Sequence, residues 1–165
     1  MKNRPTPNSS PLEAPINGAI VRPLNETDRA SWLALWNGYV AACVAEGIAA
    51  PPAECTDLNW SRLMSNEEQV FGLIAEIEGE PVGFVHYIFH RSTFHVEPIC
   101  FLQDLFTSPS FRGQGIARSL IEAVSSAATA VGAKRVYWQT AQSNEKAISL
   151  YERIATRTRT FSYRI

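Results

Sequence analysis

The residues best suited to chemistry lie in one stretch, Gln103-Asp-Leu-Phe-Thr-Ser-Pro-Ser-Phe-Arg-Gly-Gln-Gly-Ile-Ala117. An apolar strand runs into a loop with two glycines, and the loop opens an alanine-rich helix. The first turn of a helix has unpaired N–H groups and a partial positive charge. Gly113 and Gly115 permit positive φ and close approach of the backbone to a ligand, and Arg112 adds a fixed positive charge. Together these form an anion cradle suited to a phosphate or pyrophosphate, each charge-assisted hydrogen bond contributing about 1.5–3 kcal/mol. Two common phosphate loops do not fit. The P-loop requires a Lys after its second Gly, and none follows here. The dinucleotide fingerprint requires a third Gly where Arg118 stands. Farther on, Asn144 and Tyr151 share one helical pattern, NEKAISLY. Asn144 can cap that helix, and a phenol, with a pKa near ~10, is a proton donor at neutral pH.

These residues need elements to hold them. Residues 1–17 hold four of the ten prolines and few large apolar side chains, the pattern of a disordered leader. The rest, 18–165, reads as one domain, since about 100–200 residues suffice for one. A short strand is expected at 19–24. A helix follows from Asp28 to about Val44, capped by Asn25 or Thr27, with Trp32, Leu35, Trp36, Tyr39, Val40 and Cys43 on one face. Gly47 and Pro51-Pro52 break it, and a weaker helix covers 58–64. Strands at 70–77 and 82–90 form a hairpin across the turn 78–81. A third β run spans 99–106. A helix from 115 to 131 carries the apolar stripe Ile116, Leu120, Ile121, Val124, Ala127, Ala128 and Val131. A strand at 136–140, a helix at 144–154 and a short strand at 160–164 complete the order.

With 165 residues, 45% of them hydrophobic, the chain can bury a sizeable core without disulfides or a structural metal. No apolar run approaches the ~18 residues of a membrane span, and the N-terminus lacks an apolar signal core. Cys43, Cys55 and Cys100 form no CxxC pair, which suits free thiols in a reducing cytoplasm. No His/Cys/Asp cluster has metal-ligand spacing, so no metal is expected. A net charge of −1 argues against a nucleic-acid binder held by phosphate contacts. That total hides a split: residues 1–111 carry 6 basic and 13 acidic side chains, whereas residues 112–165 carry 9 basic and 3 acidic. An anionic ligand at Arg112 and a cationic one bound by the earlier elements would suit the two parts.

The order of apolar strand, R-G-Q-G-I-A, helix, strand and N-x6-Y resembles the GCN5-related N-acetyltransferase (GNAT) superfamily over roughly residues 19–165. Its pattern [RQ]xxGx[GA] is matched by Arg112, Gly115 and Ala117, and its later motif by Asn144 and Tyr151. The strand 101–106, the segment 136–140 and the ending Phe161-Ser-Tyr look closest to the histone/polyamine acetyltransferase-like branch. The resemblance implies an α/β (α+β) fold: a mixed, mostly antiparallel central sheet, splayed at its middle strands, with helices on both faces. It implies acetyl-CoA as co-substrate and a small amine or lysine-bearing chain as acceptor. The CoA pyrophosphate would lie on the amides of Arg112, Gly113, Gln114, Gly115, Ile116 and Ala117. The pantetheine and acetyl group would run along the backbone of Leu105, Phe106 and Thr107, and Asn144 would contact the CoA arm. Tyr151 would be the general acid. Family members often dimerise, so a homodimer is an expected partner, while nucleic acid and membrane are not.

Acetylation by direct attack needs a neutral amine, and at pH 7 deprotonating an alkylammonium costs roughly 4–5 kcal/mol. In the diamine acetyltransferases, which look like cousins, a Glu precedes the strand Asp and is proposed to act through water. Here Gln103 stands in its place and takes no proton. Adjacent strand residues face opposite ways, so Asp104 does not simply replace it. Asp104 is expected on the acceptor side, and Glu97, Asp104, His86 or a water chain remain candidates for the base. Trp32, Trp36 and Tyr39 read as core residues, one of which could line the acceptor pocket. A non-catalytic acyl-CoA-binding module on the same scaffold is the alternative reading.

Overall fold

The computed structural model describes residues 18–160, 162, 163 and 165; the expected leader lies outside them. Five strands form one sheet in the order β1 (Ala19–Pro23), β2 (Val70–Ile77), β3 (Glu80–His90), β4 (Ile99–Thr107), β5 (Val136–Tyr137). The first three pairings are antiparallel and β4–β5 is parallel. Helices α1 (Arg29–Ala45) and α2 (Ala53–Met64) cover one face. Helices α3 (Ile116–Ala130) and α4 (Glu145–Ile154) cover the other. No helix among the described residues is long and apolar enough to cross a membrane.

Strands 70–77 and 99–107 and helix α3 lie within a residue or so of their expected bounds. Four expectations need correction. The hairpin turn is only Glu78-Gly79, with φ of 51° and 81°; two left-handed residues match the strand twist, so β3 starts at Glu80. Helix α2 begins at Ala53, five residues early, because Pro52 at its N-cap (φ −53°) leads into helical geometry as well as breaking what precedes it. Strand β5 stops at Tyr137, leaving Trp138 half-buried beyond its end. The strand expected at 160–164 falls partly on residues outside those described, and Thr160, Ser162 and Tyr163 belong to none.

The end of β5 follows from the splay. Pairing between β4 and β5 covers only Cys100↔Val136 and Phe101↔Tyr137, and β4 then runs on to Thr107. From Leu102 onward the β5-side edge of β4 therefore has no strand partner among the described residues. Where α1 crosses β4, a Cβ on Gly38 would lie 2.9 Å from the Phe106 ring. Any larger residue there would force the ring or the helix to shift.

Candidate active site

The loop after β4 is built from turn chemistry. Ser108, Pro109, Ser110 and Phe111 make a single 3-10 turn. The Ser108 N–H donates to the Val82 carbonyl at 2.8 Å, and Arg112 Nε donates to the Thr107 carbonyl at 3.3 Å. Gly113 and Gly115 then adopt φ of 78° and 85°, in the left-handed region that costs other residues about 1–2 kcal/mol. Gly115 is the N-cap of α3, so no side chain caps the helix. Its first-turn N–H groups, the helix dipole and the exposed Arg112 face the same short stretch of chain. Ile116 is buried and turns inward, leaving its backbone to the loop. Thr107 Oγ1, at the end of β4, is buried without a hydrogen-bond partner among the described residues. Uncapped amides, a free guanidinium edge and an orphaned hydroxyl are a donor set that fits a pyrophosphate and its polar arm.

Asn144 is exposed and caps α4, its side chain accepting from the Ala147 N–H at 3.4 Å. Tyr151, two turns on, packs edge-on against Trp138 at 5.3 Å between ring centroids. Its hydroxyl makes no hydrogen bond to a described residue. Burial pushes the Tyr151 phenol up, which keeps it protonated at neutral pH. Arg118 of the loop helix and Arg153 of α4 line a cavity of about 410 Å³ with Val136 and Trp138.

Asp104 sits elsewhere, and a β-bulge puts it there. Tyr87 pairs with Leu102 and His86 with Asp104, so Gln103 has no partner on β3. The extra residue reverses the alternation of β4. Before it, Cys100 and Leu102 join the α3-side core; after it, Phe106 joins the α1-side core. Asp104 faces α1 as well: its Oδ1 accepts from Tyr39 Oη at 2.8 Å, and its Oδ2 lies 3.0 Å from His86 Nδ1. His86 Nε2 in turn lies 2.9 Å from Trp32 Nε1. Burial and the Asp104 charge push the Tyr39 hydroxyl well above its ordinary value. Gln103 is exposed.

The loop residues, Asp104 and Tyr151 are thus positioned by three different elements, and Asp104 and Tyr151 lie toward opposite faces of the sheet. Sequence reasoning took Trp32 and Tyr39 as core side chains and missed their bonds to this network. The usable signal was His86, an ionisable residue in the same β3 phase as the buried Phe84, which pairs across the strands with Ile74.

The acetyltransferase (GNAT) family model matches residues 32–155. The chain is 30% identical over 153 residues to the D-amino-acid N-acetyltransferase HPA3 of Saccharomyces cerevisiae, covering 92% of each chain. It is 34% identical over 85 residues to the thialysine N-epsilon-acetyltransferase of Caenorhabditis elegans, covering 52% of each. Among solved structures, aminoglycoside N-acetyltransferase AAC(6')-Iy in complex with CoA superposes with a TM-score of 0.73 at 22% identity, covering 89% of this chain and 94% of that one. The chain belongs to the GNAT acetyltransferase family and has its fold. It is an acetyltransferase.

Proposed function

We propose that this enzyme transfers the acetyl group of acetyl-CoA to a primary amine, on a polyamine-like small molecule or a lysine side chain, by direct attack in a ternary complex. The observation that carries this reading is the uncapped start of α3 behind Arg112, Gly113 and Gly115, which continues a stretch of β4 with no strand partner on its β5 side. Arg112, Gly113, Gln114, Gly115, Ile116 and Ala117 would hold the pyrophosphate. Leu105, Phe106 and Thr107 would align the arm along β4, and Asn144 would touch it while capping α4. Acetyl-CoA supplies the activated acyl carbon. The amine nitrogen forms its bond to that carbon as the carbon–sulfur bond breaks. A backbone N–H on the β5-side edge of β4, such as that of Leu105 or Thr107, meets the developing oxyanion, whereas the Phe106 N–H faces β3, in phase with the Ser108 N–H that bonds the Val82 carbonyl. One ammonium proton passes to water before attack; Tyr151 gives its proton to the departing sulfur and is reprotonated, by way of water, by the proton the nitrogen loses as the amide forms. Asp104, on the α1 side, holds the ammonium of the arriving acceptor. The two relatives named above carry D-amino acids and thialysine in their names, and both are amine acceptors.

The test is a thiol-release screen with acetyl-CoA against thialysine, D-amino acids, spermidine, lysine peptides and aminoglycosides. Turnover of at least one amine well above hydrolysis is expected. Acetyl-CoA binding with no amine turnover would favour the non-catalytic module instead. Tyr151→Phe should lower kcat by about 10²–10³-fold with little change in the KM for acetyl-CoA; an unchanged kcat removes Tyr151 as the acid.

A further inference from the structure

The hydrogen bonds beneath Asp104 fix which nitrogen of His86 carries the proton. Indole Nε1 is a donor and never an acceptor. At 2.9 Å from Trp32 Nε1, His86 Nε2 must therefore be the acceptor and carry no proton. The proton of a neutral imidazole then sits on Nδ1, which donates to Asp104 Oδ2. Tyr39 donates to Oδ1. Each carboxylate oxygen thus receives one hydrogen bond. Trp32 and His86 are 0% and 1% exposed, so no solvent is at hand to take over from Trp32 if His86 gains a second proton. The charged and titratable groups facing the pair are Asp104 from β4, Tyr39 from α1 with Cys43 beside it, and Arg29, whose guanidinium lies over the Trp32 and Trp60 rings. Opposite His86 on β2 is Gly72, and α2 contributes Trp60, neither of which titrates.

We propose that Trp32, His86 and Tyr39 are positioning residues of the acceptor site: by locking His86 as the neutral Nδ1–H tautomer, they keep Asp104 a fixed, unneutralised anion that selects a cationic acceptor. The proposal rests on Asp104 being the acceptor's anchor. It also removes His86 as the general base, because the only lone pair His86 has is already held by Trp32.

Three measurements test this. In the wild-type chain, imidazole ¹⁵N shifts should show His86 neutral and Nδ1-protonated from pH 5.5 to 8; a His86 that becomes doubly protonated in that range overturns the lock. In Trp32→Phe, Nε2 is released. The ratio of acceptor KM in this variant to that in the wild type, read with the fastest of thialysine, D-lysine or spermidine, should be flat above about pH 7.5. It should rise about tenfold toward pH 5.5, below the ordinary histidine range, while the KM for acetyl-CoA stays unchanged. Adding His86→Asn to Trp32→Phe should erase that step. A flat ratio, or a step that survives without His86, overturns the proposal. If Trp32→Phe does not fold, the ¹⁵N result decides. Asp104→Asn probes the underlying reading separately: acceptor KM should rise about 10–100-fold, since hydrogen bonds to charged groups contribute ~1.5–3 kcal/mol. An unchanged KM there sinks the anchor itself, whereas a raised KM with a titrating His86 sinks only the lock.

Discussion

The face of the sheet under α1 and α2 carries a chain of buried polar groups among its aromatic rings, whereas the face under α3 packs the Leu, Ile, Val and Ala of that helix against Phe71, Tyr87 and Phe89 of the sheet. On the first face Trp32, Trp36, Tyr39, Phe84 and His86 form a continuous chain of ring contacts, 4.6–5.9 Å between centroids. Within it the Trp32–His86–Asp104–Tyr39 bonds are satisfied from end to end. A second polar brace ties the entry of α1 to the sheet: Arg22 donates to both oxygens of Asp28, at 2.7 and 2.8 Å, and to Glu76. On the other face α3 buries Ile116, Leu120, Ile121, Val124 and three alanines, and its only exposed charge pair is Arg118–Glu122. Under the proposed function the contrast separates the two halves of a bimolecular reaction: fixed buried charges would orient a small cation, and the helix start on the apolar face would receive an anion on its first-turn amides.

The largest effect expected of this contrast is on stability. Leu120→Ala, at a fully buried position, should cost about 2–5 kcal/mol in denaturant unfolding, by the same amount at pH 7 and pH 4.5. A pH-dependent loss would mean that the α3 face hides a polar contact. Next comes the brace. Its Arg22 partner holds the Asp28 carboxyl below the usual range. The folded value is thus lower than the unfolded one, and the contribution is present above about pH 4 and fades as pH falls through the folded value. Asp28→Asn should cost about 1–2 kcal/mol at pH 7, and the gap to the wild type should narrow below pH 4. A gap that stays constant to pH 2 would break the electrostatic account of this face. The smallest effect belongs to the donor loop. Nothing lies within 4 Å of a Cβ at Gly113, so Gly113→Ala carries only the backbone strain of φ 78°, about 1 kcal/mol. Acetyl-CoA KM should rise by less than about tenfold and acceptor KM not at all; a change confined to the acceptor would reassign the loop.

Much of this molecule was legible in its residues. The apolar runs at 70–77 and 99–106, the stripe of α3 and the glycines around Arg112 are local signals, and local sterics enforce them. The proposed donor site is legible for the same reason: a phosphate cradle is made of consecutive backbone amides, so its parts are neighbours in sequence. The proposed acceptor side was not. Asp104, His86, Tyr39 and Trp32 come from β4, β3 and α1, and nothing in the spacing of one strand says which way a neighbour will be turned.

The chain's own order of residues thus determined the element sequence, the anion cradle and the family. Tertiary structure alone decided the rest. The bulge at Gln103 exists because β3 and β4 must pair on both sides of a residue that has no partner, and that single insertion carries Asp104 from the α3 face to the α1 face. The tautomer of His86 is likewise set by Trp32, 54 positions away in sequence. Register and proton placement are properties of pairs, and only folding makes the pairs.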